Sequence, residues 1–316
     1  MSHLLIMNND ISVKKLFFDP RQRVVDKFAF PSNEPEMTEF ESAFLCGLIR
    51  EKKPKKIVEF GIAAGGTTAI MLECLSLLGM NETTSLFSID CCELFYRGNG
   101  EKSGYLAEEY KKNTGWKGNH KVFLGKYYPQ VWEEIGNDID FVVLDTVHRL
   151  PGEFLDYLAI FTCLTPHACV VLHDINLNHI DGHESYATQL LMDTVVADKY
   201  LQKDASREYG FPNIGAFEIN ENSMKYISDV FHALNITWNY LPEKPVYELY
   251  LQLYAQNYNP EFVRYAEVAY ELQSHTLLNK HNANAMPETW RLSSSYKIGR
   301  MITYLPRKIK SLLVRK

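Results

Sequence analysis

The chain has 316 residues, of which 46% are hydrophobic, 13% aromatic and 23% charged, enough for one large domain or one domain with a smaller appendage. That content excludes a disordered chain, and only 17 Gly and 13 Pro exclude a collagen-like or low-complexity one. The net charge of −6 is unevenly spread: residues 297–316 carry seven basic side chains and no acid, which leaves −13 on residues 1–296. So acidic a body is a poor surface for nucleic acid. No apolar run approaches the roughly 20 residues of a membrane span, and residues 1–10 lack the pattern of a secretory signal, so a cytoplasmic protein is expected. The six cysteines form no C-x-x-C pair and several lie in apolar segments, which favours buried free thiols over a zinc site or disulfide framework.

In chain order, Phe40, Ala43, Phe44, Gly47 and Leu48 give residues 38–50 a helical stripe. A short apolar strand at 56–60 runs into Gly61-Ile62-Ala63-Ala64-Gly65-Gly66-Thr67-Thr68, and a helix follows over 69–78. Further strands are expected at 85–90, 121–125, 139–145 and, after a helix near 152–164 and a turn at Thr165-Pro166-His167, at 169–174. These runs are continuously apolar, the mark of strands covered on both faces. A doubly wound, mostly parallel α/β sheet accommodates them. Beyond it, 186–201 reads as helix, 214–219 and 236–240 as two late strands of the same sheet, one antiparallel, and 223–234 as a helix between them. The aromatic-rich segments 246–258 and 260–272 read as a helical hairpin packed on the sheet.

The turn after the first strand, Glu59-x-Gly61-x-x-x-Gly65-Gly66, is neither the G-x-G-x-x-G of dinucleotide enzymes nor a phosphate loop. It resembles the first motif of class I S-adenosylmethionine-dependent methyltransferases, E-x-G-x-x-x-G. The resemblance covers about residues 50–220 and implies a Rossmann-like methyltransferase sheet, with the loop backbone against the methionine part of the cofactor. Glu59, Gly61, Ala63, Gly65, Gly66 and Thr67 are the residues it assigns there. Asp90, ending the second strand, is placed to accept the ribose hydroxyls. The family's adenine contacts fall near Gly125 at the third strand's end, where Lys126 departs from the usual acid or hydroxyl residue.

Asp145 closes the fourth strand and His173-Asp174 the fifth, all three at the carboxyl edge. Asp145, His173 and Asp174 resemble the metal triad of magnesium-dependent O-methyltransferases of the catechol and sugar types. There a divalent cation, magnesium or manganese, binds the acceptor hydroxyl and lowers its pKa. His173 stands where the family has an acid, and an imidazole suits manganese, iron or zinc better than magnesium. The competing assignment uses Asp145-Thr146-Val147-His148, with His148 as general base and Asp145 and His173 beside it as catalytic residues. His179 and His183, in the polar loop after the fifth strand, are further candidates, and Glu93, Tyr96 and Arg97 belong to a long loop that is either a lid or an insertion.

Residues 295–316 form a basic amphipathic pattern interrupted at Pro306, fit for an anionic membrane surface. Their wording resembles the C-terminal tails of bacterial surface-polysaccharide enzymes. The expected organisation is an N-terminal helical segment (1–50), a methyltransferase domain (51–242), a helical addition (243–292) and a basic tail (293–316). The resemblances imply an S-adenosylmethionine-dependent O-methyltransferase that acts on a small-molecule or glycan hydroxyl, in polysaccharide or natural-product synthesis. A hydroxylase of the cephalosporin-hydroxylase group and a non-catalytic subunit of a membrane glycan-assembly complex are the alternatives, and a second copy of the chain is a further partner the reading allows.

Overall fold

The computed structural model describes residues 37–98, 100–179, 184–204, 207 and 210–285. The basic tail, His183 and the segment before residue 37 lie outside the described residues. The chain divides after Ala269 into two compact units, and apart from the bounds of the last helix all that follows concerns the first.

Helix α1 (Glu39–Lys52) starts with a capping box: the Thr38 hydroxyl accepts from the Glu41 amide and the Glu41 carboxylate accepts from the Thr38 amide. Then follow β1 (Lys56–Phe60), α2 (Gly66–Leu77), β2 (Ser85–Asp90), α3 (Tyr105–Thr114), β3 (Asn119–Leu124), the short α4 (Trp132–Ile135), β4 (Ile139–Leu144), α5 (Gly152–Phe161) and β5 (Leu164–His173). The chain continues with α6 (Ala187–Thr194), β6 (Asp198–Tyr200), β7 (Ile214–Glu218), α7 (Glu221–Lys225), α8 (Ile227–Ala233), α9 (Lys244–Asn257) and α10 (Pro260–Ala285). The strands form one sheet in the order β3-β2-β1-β4-β5-β7-β6, parallel through β5, with β7 antiparallel to both its neighbours. This is the doubly wound, mostly parallel α/β sheet expected.

Strand alternation sorts the side chains onto two faces. Ile57, Leu86, Phe141, Val143, Cys169 and Val171 join one core with α1, α2 and α3. On the other face Tyr157 of α5 meets Phe217 edge-on, and Phe60 packs on Tyr128. Helix α9 docks through a ladder of tyrosines four residues apart. Tyr250, Tyr254 and Tyr258 donate to Asp156 Oδ1 (2.6 Å), the Leu155 carbonyl (2.8 Å) and the Leu158 carbonyl (2.7 Å) of α5. The last of these satisfies a carbonyl in the final turn of α5, which has no partner within the helix.

Three segments differ from expectation. Residues 236–240 are not a strand: Asn239 instead exchanges two hydrogen bonds with Leu150, and Trp238 is buried with its indole N–H on the Leu234 carbonyl. The seventh strand comes from residues 198–200, read as the end of a helix, because α6 stops at Thr194 and β7 offers an unpaired edge. Thr165-Pro166-His167, read as a turn, lies within β5. Of the six cysteines, Cys46, Cys74, Cys163 and Cys169 are buried, whereas Cys91 and Cys92 are exposed at the mouth of the site.

Candidate active site

Strand register builds the site. Phe123, Ile89, Phe60, Leu144 and Leu172 lie side by side in one row across β3, β2, β1, β4 and β5. The next residue of each of the four inner strands is therefore at the same carboxyl edge: Asp90, Gly61, Asp145 and His173. Around Gly61, Asp90 and Asp145 opens a cavity of about 560 Å³.

The β1 loop is shaped by contact. A Cβ on Gly61, at φ +82°, would lie 1.9 Å from the Asp145 carbonyl oxygen, and one on Gly65, at φ +93°, 2.8 Å from Gly104 Cα. Both positions thus exclude a side chain by conformation and by space. Asp90 fastens the loop: its Oδ2 accepts from the amides of Ile62 (2.9 Å) and Ala63 (3.1 Å), and its Oδ1 from that of Cys92 (2.8 Å). Three of the roughly four acceptor positions of a carboxylate are thereby used. Asp90 is thus an organiser of the loop. Ala63, Gly66 and Thr67 line the cavity with Gly61 and Asp90. Glu59, Gly65 and Gly125 are not among the lining residues. Glu59 points to the α2 face of β1, fully buried, where its carboxylate accepts from the Thr68 hydroxyl (2.8 Å) and burial pushes its pKa up to about 7.

Beyond Asp145 the edge is built from charged side chains. His148 Nε2 lies 3.3 Å from Asp174 Oδ2 and 3.7 Å from Asp145 Oδ1. His148 and Asp174 both hold left-handed backbones, at φ 57°, a conformation that histidine and aspartate adopt more readily than most residues with a side chain. The His148 amide is fixed by the buried carboxylate of Glu153, which also accepts from Thr146 (3.1 Å). Asn213 donates to the other oxygen of Asp174 at 2.6 Å. His173 sits behind this group, only 4% exposed, with Nδ1 3.3 Å from Asp145 Oδ1 and Nε2 3.5 Å from Glu41 Oε2. Burial opposes its charge, but the carboxylates of Asp145, Glu41 and Asp174 overcome this and hold His173 well above the ordinary imidazole pKa. Glu41 is closed on its other side by Arg207 at 2.5 Å. Burial would raise Glu41, yet His173, the Thr38 amide and Arg207 bring it down to about 2.

Of the residues expected to hold a metal, Asp145 and Asp174 converge with His148, each offering an atom within 4.8 Å of the others. His173 also stands beside both carboxylates, its Nδ1 3.3 Å from Asp145 Oδ1 and 3.7 Å from Asp174 Oδ2, while its Nε2 faces Glu41. In Asp145, His148 and Asp174 one imidazole nitrogen and two carboxylate oxygens thus converge, a donor set that fits a divalent ion. Mixed nitrogen and oxygen donors suit manganese, iron or zinc better than magnesium.

The remaining wall is aromatic and comes from outside the loops singled out by sequence. Tyr127 meets Tyr250 edge-on, and Tyr240, Leu241, Val246 and Tyr250 close the cavity from the segment leading into α9 and from α9 itself. Glu41, Glu153, Asp156 and Tyr250 had no motif to mark them. The available signal was an acid inside an apolar helix: Glu153 and Asp156 stand in Gly-Glu-Phe-Leu-Asp-Tyr-Leu-Ala-Ile-Phe, all ten residues of which are buried. The loop after Asp90 is pinned by the buried Phe95 against Ala64 and Leu106, and it presents Tyr96 to the cavity, with the Arg97 guanidinium 4.9 Å from that ring's centre. His179 lies outside the cavity lining and stacks on Phe211.

A family model described as a methyltransferase domain matches residues 58–175, the stretch from β1 to the residue after Asp174. Over that stretch the chain is similar to a methyltransferase domain. No curated protein matches the chain. Among solved structures, the chain is similar to the O-methyltransferase TomG of Streptomyces achromogenes, involved in tomaymycin synthesis and solved with SAM (15% identity, 68% of this chain and 92% of that chain, TM-score 0.43). It is also similar to the SAH-bound Podospora anserina methyltransferase PaMTH1 (13%, 65% and 89%, TM-score 0.46). A third is the O-methyltransferase from Bacillus cereus in complex with SAH (14%, 68% and 94%, TM-score 0.41). Among the described residues, no helix is long and apolar enough to cross a membrane.

Proposed function

We propose that the chain transfers a methyl group from S-adenosylmethionine to a hydroxyl of a small-molecule or glycan acceptor, a sugar of a surface polysaccharide or its precursor being the acceptor class. The observation that carries this reading is the strand row, which sets a glycine-shaped loop and Asp90 beside an imidazole–carboxylate group at one end of a single cavity. The cofactor, when bound, supplies an electrophilic methyl on a sulfonium. Gly61, Ala63, Gly66, Thr67 and Asp90 orient it, and Asp145 borders both the loop and the charged wall. His148 Nε2 takes the proton of the acceptor hydroxyl, and Asp145 and Asp174 stabilise the resulting imidazolium. His173, held by Glu41, keeps Asp145 ionised. In place of that base, a divalent cation held by Asp145, His148 and Asp174 would occupy the Nε2 lone pair and itself supply a lowered acceptor pKa. The rest is proximity in a site that shields the reactants from water.

A hydroxyl acceptor is supported by the density of acid and imidazole groups on this wall. A surface-glycan context and an anionic membrane partner are supported by the wording and charge of residues 295–316 alone. Isothermal titration with S-adenosylmethionine tests the core of the reading: saturable binding by the wild type, weakened at least about tenfold in Asp90→Ala, is expected, since the substitution removes three amide partners and the ribose acceptor. No heat at millimolar cofactor with the wild type removes the reading. Turnover unchanged after exhaustive chelation would exclude an essential exchangeable ion.

A further inference from the structure

We infer that Asp156 of α5, held by Tyr250 of α9, recognises the exocyclic amine of the cofactor's adenine, the task otherwise expected of the β3 end. This rests on the proposed use of S-adenosylmethionine. Asp90 and Asp156 line the same cavity, and Cys91, Tyr127 and Leu155 line that slot with them. A ribose at Asp90 sends its base along that slot. At the far end the base needs a hydrogen-bond acceptor for its amino group. The β3 end cannot provide one with the Lys126 side chain, an ammonium that only donates, and Glu243 is exposed at the rim. Asp156 is 9% exposed and lines the cavity, and among the described residues no cation acts on it. Its described partner is the Tyr250 hydroxyl, 2.6 Å from Oδ1, which leaves acceptor capacity on a buried carboxyl group. Such a group is costly to bury unless a ligand donor completes it. Burial pushes its pKa up to about 7, consistent with a carboxyl that lacks a charged partner.

A double-mutant cycle between ligand and protein tests the assignment. Binding of S-adenosylhomocysteine and of its analogue lacking the 6-amino group is measured calorimetrically on the full chain, with thermal melting as the check of folding. The wild type is expected to prefer the amine-bearing ligand by about ten- to a hundredfold, the worth of one hydrogen bond to a buried carboxyl group. In Asp156→Ala that preference falls to about onefold. Asp156→Asn, which keeps an acceptor oxygen, retains most of it, and Tyr250→Phe reduces it several-fold by releasing the carboxyl group. Equal binding of both ligands by the wild type, or a preference unchanged in a folded Asp156→Ala, overturns the assignment while leaving the methyltransferase reading intact. Binding of neither ligand by the wild type overturns both.

Discussion

The two halves of the sheet edge solve different problems by different means. On the β1–β2 side the site is made of backbone: Gly61 and Gly65 permit approach, and the amides of Ile62, Ala63 and Cys92 converge on Asp90. On the β4–β5 side it is made of charge: Asp145, His148, His173 and Asp174, supported by Glu41 from α1, Glu153 from α5 and Asn213 beside β7. The first is local, built within about thirty residues of chain. The second draws on residues more than a hundred apart, so it exists only once the whole sheet has closed. A site that binds a constant ligand can be written into one loop, whereas a site that must hold several like charges together needs counter-charges from wherever the fold supplies them.

The contrast can be broken from either side. On the charged side, His148→Ala should lower turnover about 10²–10⁴-fold with an acceptor the wild type methylates, while cofactor affinity stays within a few-fold. A matching loss of cofactor binding in calorimetry would show that the halves are not separable. On the backbone side, Gly61→Ala should destabilise the chain by about 4 kcal/mol, combining a left-handed alanine with a Cβ driven into the Asp145 carbonyl. Gly79→Ala is the control: it has a similar φ of +67° but open space around the new Cβ, and denaturant titration should give only about 1 kcal/mol there.

Glu41→Gln sharpens the comparison through α1. Leaving His173 and Arg207 without their carboxylate should cost about 3 kcal/mol at pH 7. The pH dependence has a defined sign. Glu41 is depressed from 4.5 to about 2, so its contribution is complete above the unfolded value and is lost as pH falls through the folded one. Acid unfolding of the variant should lack that part of the slope. Glu59 gives the smallest and opposite effect. Its pKa is raised from 4.5 to about 7, so wild-type stability declines as pH rises between those values. Glu59→Gln cannot titrate, and the stability difference should move in its favour by about 2 kcal/mol between pH 5 and pH 8. Parallel pH profiles would mean that Glu59 is ionised in the folded chain.

Much of the fold was legible because parallel strands covered on both faces read as continuous apolar runs, as 56–60, 85–90 and 139–144 do. Misreadings arose where the local pattern was ambiguous. Ile236-Thr237-Trp238-Asn239-Tyr240 alternates like a strand, yet its alternation serves a buried indole and a two-bond clasp on Leu150. Asp198-Lys199-Tyr200 is too short and polar to announce itself and becomes a strand only because β7 has a free edge. In the site, Gly61, Asp90, Asp145 and Asp174 were legible as loop and strand-end residues. Glu41 and Asp156 were not, since an acid on an apolar helix gains meaning only from what stands opposite.

The division between sequence and structure follows from range. Residues near in sequence determined the strands, the glycine turn after β1 and the acidic strand ends, because backbone conformation and apolar periodicity are decided within a few residues. Only the tertiary structure decided that His148 and His173 both stand against Asp145 and Asp174, and that α9 brings Tyr250 to Asp156. Those outcomes depend on register, burial and the balance of distant charges, quantities that have no value until the chain has folded.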